Sequence, residues 1–556
     1  MKHFFFILVA VILFVSQSFA QPTIHDDRIT LRSVTNLPAN TVRIKYNASN
    51  ETLYFSTIGG DIYSVNIETG SQSQLSFTEP HNLQEVQGFD ISNDGKFYIV
   101  GNIKDGIDFT NTATIMRGIL DGTTITWEKV AETEPYPLSN TFFDHIMNGI
   151  VVSADNSTLY INSGSRTDHG EVHSVDGRYP ELRETSLTAK ILRIPADATD
   201  LFLPDNIDSL NANGYIFAEG IRNTFSLAFD KDGNLFGPDN AGERDDPGEF
   251  NWIQEGNHYG FPWRVGGNDT PMQFDGYDPD ADIMLQPETN GYQFGFFYND
   301  PDYPEPPEGV TFTEPLLNYG PDGVMYRNPD TDTILNAFEQ DTAISSFTAH
   351  RSMLGLVFDT ESALGAEFTN DGFTLAFSDD NFFIRWMDDP GEDLLHIELT
   401  EVDGTYEMTS TRIASDFISP IDAEIIGNKV YVAEYRNDSW LNVGANTRIW
   451  ELTFPVNTTN TETELESPSN FTLHQNYPNP FNPTTTLSFD LKVPGFVELT
   501  VSDLTGREVQ TLVNRAMAAE THSLRFDASN LSSGVYLYSL RVDDVLISTQ
   551  KMVLVK

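Results

Sequence analysis

Phe143-Asp144-His145 stands just ahead of a run beginning at Ile150 that reads as a strand. A histidine in such a loop can serve as a general base, and an adjacent carboxylate would raise its basicity and set its tautomer. The same residues also suit an ordinary structural contact. A second polar run, Ser163-Gly164-Ser165-Arg166-Thr167-Asp168-His169-Gly170, leaves a strand directly, where loops tend to carry function. A third cluster is Gly220-Ile221-Arg222-Asn223. The fourth is Gly237-Pro238-Asp239-Asn240-Ala241-Gly242-Glu243-Arg244-Asp245-Asp246, followed by Glu249-Phe250-Asn251 and by Gly256-Asn257-His258-Tyr259-Gly260-Phe261-Pro262-Trp263. Its carboxylates and glycine-exposed carbonyls suit calcium, which takes hard oxygen ligands. A solvated acidic loop without metal is the alternative, and no His/Cys spacing recommends zinc.

The elements that must position these groups read as β-strands. Short runs of Val, Ile, Tyr and Phe alternate with Asp-Gly, Asn-Gly and Gly-Gly turns, and long helical periodicity is missing. One sub-pattern, a turn followed by an apolar strand with Tyr or Phe, recurs six times. It occurs at Thr52–Phe55, Gly95–Val100, Ser157–Ile161, Gly233–Phe236, Gly372–Phe377 and Asn428–Val432. This predicts an all-β fold, a six-bladed β-propeller over residues 27–455, with a β-sandwich carrying long insertions as the rival. Residues 456–470 are Thr, Asn, Glu, Ser and Pro with almost no apolar content, which reads as a linker. Strands expected at 485–491, 496–503, 523–527, 535–542 and 546–555 make a small β-sandwich of residues 471–556.

The formal net charge is −50, from 82 acidic and 32 basic residues, which opposes nucleic-acid binding. There is no cysteine, so thiol catalysis and disulfides are excluded. Met1-Lys2-His3, an uncharged run Phe4–Val15 and Ser18-Phe19-Ala20 describe a cleavable signal peptide over residues 1–20. No later run is long and apolar enough for a transmembrane helix, so a mature chain without a membrane segment is expected.

Two sets of motifs go further. Asn476-Tyr477-Pro478-Asn479-Pro480-Phe481-Asn482-Pro483, then Val501-Ser502-Asp503-Leu504-Thr505-Gly506-Arg507-Glu508-Val509, then Ser533-Gly534-Val535-Tyr536 and Lys551–Lys556 follow in order. Together they resemble the C-terminal sorting domain of the type IX secretion system. That resemblance implies the secretion machinery as a partner and delivery outside the outer membrane, secreted or on the cell surface. A small carbohydrate-binding or adhesive module is the other reading.

In the large domain, His145, the strand Lys190-Ile191-Leu192-Arg193-Ile194, the pair Arg222-Asn223, and Glu249-Phe250-Asn251 with Gly256–Pro262 resemble the pyrroloquinoline quinone (PQQ)-dependent soluble glucose/sorbosone dehydrogenases. The resemblance implies oxidation of an aldose to its lactone with PQQ and Ca2+. By position, His145 is then the base, Asp144 orients it, and Arg222 polarises the quinone carbonyl. Asn223 and Gln84 touch the cofactor. Calcium sits on carbonyls near Ala241 and Gly242, with Glu249 and the carbonyl of Tyr259 at a further calcium site. The chain has one residue more than the family spacing between His145 and Gly149. Gln87 competes with Gln84. Around Ile418-Ser419-Pro420-Ile421-Asp422 the arginines expected for the quinone carboxylates are absent, and His350, Arg351 and Arg385 are the substitutes. Two other functions share these features: a non-enzymatic secreted propeller that binds glycans or surface partners, and a calcium-dependent lactonase-type hydrolase.

Overall fold

The computed structural model describes residues 21–556 apart from 78–80, 379–386, 440, 457–470, 475, 477, 480, 504–506, 520 and 543–544. The expected signal peptide, nearly all of the expected linker, and Arg385 lie outside the described residues. So do Tyr477, Pro480 and Leu504-Thr505-Gly506 of the sorting motif.

The chain divides into two compact units, residues 1–457 and 458–556, both nearly all β. The described part of the first contains six sheets of three or more strands, each begun by consecutive strands joined as an antiparallel meander. Their first three strands are Thr41–Asn47, Thr52–Thr57 and Ile62–Val65; Gly88–Ile91, Phe97–Asp105 and Thr110–Asp121; and Met147–Val152, Thr158–Ser163 and Lys190–Pro195. Then come Ala228–Phe229, Leu235–Asp239 and Glu249–Ile253; Met353–Phe358, Gly372–Ala376 and Leu394–Val402; and Pro420–Ile426, Lys429–Glu434 and Arg448–Thr453. The recurrent sequence pattern marks the second strand of each sheet. These strands are covered on both faces (Phe97, Ile99, Leu159, Ile161, Phe236, Phe373, Val430 and Val432 are all buried), which is why they read as apolar runs.

First strands neighbour one another. Thr41–Asn47 lies beside both Gly88–Ile91 and Pro420–Ile426, Gly88–Ile91 beside Met147–Val152, and Met353–Phe358 beside both Ala228–Phe229 and Pro420–Ile426. The last sheet is completed by the N-terminal strand Thr30–Asn36, which pairs antiparallel with Arg448–Thr453. This joins the two ends of the unit, with Thr30–Asn36 as the outer strand of that sheet. Thr23–Ile24, ahead of the expected start at residue 27, adds a strand to the fifth sheet through Thr23 with Ser415 and Ile24 with Ala414.

The second unit has two antiparallel sheets. One is ordered Phe471–Leu473, Thr484–Leu491, Thr521–Asp527, and the other Glu508–Met517, Gly495–Asp503, Gly534–Val542, Val545–Leu554. Both contribute to one apolar cluster that includes Leu487, Phe489, Val497, Leu499, Phe526, Tyr538 and Leu540. Strands 471–473 and 508–517 were not expected. In the second, Gln510, Thr511, Asn514 and Arg515 break the apolar alternation. The proline-rich segment runs beside the final strand: Asn479 Oδ1 accepts the Val553 N–H at 2.8 Å and the Phe481 N–H donates to Val553 at 2.9 Å. Asn476 is buried, and its amide donates to the Pro478 carbonyl and to Thr485 Oγ1.

Candidate active site

His145 precedes the first strand of the third sheet, Arg222-Asn223 precedes the first strand of the fourth, and His350-Arg351 that of the fifth. Ser165 follows the second strand of the third sheet, and Asn240-Ala241-Gly242 follows the second strand of the fourth. In an antiparallel meander these connections lie at the same end of the sheets, so the chain gathers them at one mouth of the ring of first strands.

The extra residue between His145 and Gly149 is absorbed by a β-bulge between Met147 and Ile150. A bulge re-aims the side chains beside it. Ile146, directly after His145, sits at φ 51°, a left-handed conformation that a β-branched residue adopts only under strain. Gly149 is required for close approach, because a Cβ there would lie 2.9 Å from the Phe225 carbonyl oxygen and 3.0 Å from that of Thr224. Asn148, in the bulge, donates to the His145 carbonyl at 3.2 Å and to Asn223 Oδ1 at 2.8 Å, tying the two loops together.

His145 Nδ1 lies 3.1 Å from Ser165 Oγ, and Ser165 Oγ donates to the Thr167 carbonyl at 2.8 Å. Because that hydroxyl proton is committed to Thr167, Ser165 accepts from His145, which puts the imidazole proton on Nδ1 and a lone pair on Nε2. The expected orienting role of Asp144 is corrected here. Its carboxylate accepts the Ser139 N–H at 2.7 Å and closes its own turn. The expected rise in His145 basicity is also corrected. Burial, and next the Arg222 charge, push the imidazole down to about 3.

Arg222 is buried, and four of its five guanidinium N–H groups have protein acceptors. Nη2 donates to Asp168 Oδ1 at 2.8 Å, Nε to the Asp168 carbonyl at 2.8 Å, and Nη1 to the carbonyls of Asn240 at 2.9 Å and Ala241 at 3.1 Å. Asp239 Oδ2 accepts the Arg222 N–H at 2.7 Å, and Oδ1 accepts the Asn223 N–H. Gly242 makes room for the pair: a Cβ there would meet the Asp168 carboxylate at 2.7–2.9 Å. Burial alone would raise the Asp168 carboxyl, but Arg222 and then His169 outweigh it and hold it well below the usual carboxylate range. His169 completes the chain, with Nδ1 at 3.0 Å from Asp168 Oδ2 and its ring stacked on Phe297 at 3.8 Å.

The remaining expected positions are less convergent. Gln84 is exposed, and its carbonyl accepts the Asn102 N–H at 2.7 Å; Asn102 in turn donates to the Met147 carbonyl. Gln87 is half-buried and its carbonyl accepts from Arg43. Glu249 pairs with Asp239 across the ladder, accepting from the Gly266 N–H at 2.8 Å and the Asn251 amide at 2.9 Å. Burial, and next the Asp239 charge, push Glu249 up to about 8. The Tyr259 hydroxyl donates to the Trp252 carbonyl at 2.6 Å and accepts the Gln254 N–H. Among the described residues no group of three or more His, Asp or Glu side chains is arranged to hold a metal ion. A cation on the Ala241 carbonyl would meet the Arg222 guanidinium on the same oxygen.

PQQ carries three carboxylates, and buried carboxylates need cationic partners. Each described cation expected near the site already has a carboxylate: Arg222 has Asp168, Arg351 has Asp389 and Asp393, and His350 has Asp245, which also holds Arg327. The described cations expected for these carboxylates are therefore already paired within the chain. Sequence reasoning placed Ser165 and Asp168 in a polar run without assigning their roles. Asp168-His169-Gly170-Glu171, an acid–His–Gly–acid run directly after a strand, was the available signal.

Against known proteins, residues 87–288 match the family described as Glucose / Sorbosone dehydrogenase. That match lies within the first, nearly all-β unit. Residues 475–556 match the family described as Secretion system C-terminal sorting domain, which indicates export via type IX secretion to the cell surface or outside. No curated protein sequence matches the chain. Among solved structures it is similar to the PQQ-bound aldose sugar dehydrogenase of Streptomyces coelicolor (16% identity, 78% of this chain and 99% of that one, TM-score 0.45). It is also similar to the apo-form soluble aldose sugar dehydrogenase of Escherichia coli (13% identity, 77% and 100%, TM-score 0.49). A third is the holo-form PQQ domain of pyranose dehydrogenase from Coprinopsis cinerea (11% identity, 78% and 97%, TM-score 0.45). No helix among the described residues is long and apolar enough to cross a membrane.

Proposed function

We propose that the large unit oxidises a neutral sugar at the mouth that holds His145 and Arg222, on six blades formed by its six main sheets. The second unit, read as a small sandwich over residues 471–556, serves export after a signal peptide over residues 1–20 and a linker. The observation that carries the reaction is the His145–Ser165–Thr167 relay, which presents a neutral Nε2 lone pair within a glucose/sorbosone dehydrogenase domain.

In this reading Nε2 takes the proton from a sugar hydroxyl while the carbon bearing it loses a hydride and becomes a carbonyl. From the anomeric carbon of an aldose the product is a lactone. No side chain of this chain accepts a hydride, so a redox group must receive it. PQQ with calcium is the pair implied by the sequence resemblance. Arg222 is already paired with Asp168, which opposes a further carboxylate at the guanidinium.

The test is dye-linked oxidation of an aldose panel by the purified chain, alone and after incubation with PQQ and calcium. Sugar-dependent dye reduction abolished by His145→Ala supports the proposal. Inactivity in both states, with glycans still bound, transfers the assignment to a binding propeller. Lactone hydrolysis without any redox group transfers it to a hydrolase.

A further inference from the structure

Asp168 is wholly buried. Its Oδ1 accepts from Arg222 Nη2 at 2.8 Å, and Oδ2 faces His169 Nδ1 at 3.0 Å. Both oxygens take the Glu243 N–H at 3.2 Å. Its own N–H donates to Glu171 Oε1 at 2.9 Å and its carbonyl accepts Arg222 Nε at 2.8 Å. Arg222 is thus gripped at both the side chain and the backbone of one residue, and Gly242 lacks the side chain that would push that residue away. Around the pair lie further carboxylates, Glu171, Asp239 and Glu243, all buried.

We infer that Asp168 is the resident counter-anion of this mouth, a specificity-determining residue that withholds Arg222 from anionic ligands and leaves the mouth selective for neutral sugars. A uronic acid or a carboxylated quinone that takes over the Asp168 bond to Arg222 Nη2 leaves Asp168 in a region already rich in carboxylates. Like charges brought together in a buried site are strongly disfavoured, and a charge left without its partner more so. The inference rests on the sugar reading of the site but is measured without turnover.

The experiment is calorimetric titration of the full chain with PQQ, in the presence of calcium, for the wild type, Asp168→Asn and Asp168→Asn/Arg222→Ala. Expected is a gain in PQQ affinity of about a hundredfold or more in Asp168→Asn, lost again in the double variant. Tight one-to-one binding by the wild type that Asp168→Asn leaves unchanged overturns the inference, as does an absence of binding in a folded Asp168→Asn protein. Should Asp168→Asn not fold, the wild type is titrated with PQQ and with its trimethyl ester. Binding of the ester at least as tight as that of the free acid supports the inference, and preference for the acid overturns it. Dye-linked oxidation of neutral aldoses by the wild type is scored separately. Its failure removes the reaction without altering the binding result.

Discussion

Ser165 Oγ lies 3.1 Å from His145 Nδ1 and donates its own hydrogen bond to the Thr167 carbonyl, so a hydroxyl, not a carboxylate, sets the tautomer of the candidate base. A neutral partner stabilises the protonated ring less than a carboxylate would. That agrees with an imidazole held at about 3 by burial and Arg222. The base form is present above that value and lost only below it. The expected pH profile of sugar oxidation therefore has no inflection from His145 between about pH 5 and 8, where an ordinary histidine would titrate. His145→Ala lowers kcat by roughly 10²–10⁴-fold. Ser165→Ala lowers kcat by about tenfold and leaves KM within about twofold, because it frees the tautomer without removing the base. Initial rates across pH for the three proteins check this.

Arg351 was expected to serve a cofactor carboxylate, yet its guanidinium is wholly buried between Asp389 and Asp393, with Arg412 on the far side of both. Its role here is structural. Arg351→Met leaves two carboxylates with only Arg412 and is expected to destabilise the large unit by about 3–5 kcal/mol. Urea unfolding followed by tryptophan fluorescence measures this unit alone, since all 6 tryptophans lie within residues 1–457.

Glu424 offers a stability test at the other end of the first strands. It stands 3.8 Å from Lys45, and its carboxyl is pushed up to about 7, mainly by burial, with Asp422 and Asp90 adding to the rise and Lys45 opposing it. The folded state thus binds this proton more tightly than the unfolded chain, whose ordinary value is near 4.5. The contribution is complete below about pH 4.5 and is lost as pH rises through 7. Glu424→Gln is expected to flatten the fall in unfolding free energy between pH 5 and 8 by on the order of 2 kcal/mol. The same fluorescence-detected urea titrations, run at both pH values, measure it.

For the sorting unit, a reporter fused to residues 471–556 and a signal peptide should appear on the surface or in the medium of a type IX-competent host. Asn476→Ala removes the amide that holds Pro478 and Thr485 and is expected to lower that yield. Reporter activity in cell fractions decides. Retention of the unaltered fusion in the periplasm would refute the assignment.

Much of the architecture was legible along the chain. The six recurrences from Thr52–Phe55 to Asn428–Val432 are the second strands of the six main sheets, because a strand covered on both faces must be apolar throughout and local turns set its ends. The loops around His145, Ser165, Arg222 and Gly242 were legible as polar, glycine-bearing segments leaving or entering strands. The strand Glu508–Met517 was not, because its polar positions weaken the alternation that reveals a strand.

Composition, strand periodicity and the sorting motif, all local properties of consecutive residues, were determined by the sequence on its own. Which polar groups meet was decided only by the tertiary structure. His145 turns to Ser165 and away from its neighbour Asp144, a bulge absorbs the residue before Gly149, and Asp168 crosses 54 positions to neutralise Arg222. Such pairings depend on distances between loops of different sheets, set by how the sheets pack around the ring. In a buried site those distances decide whether an arginine is open to a ligand or already satisfied.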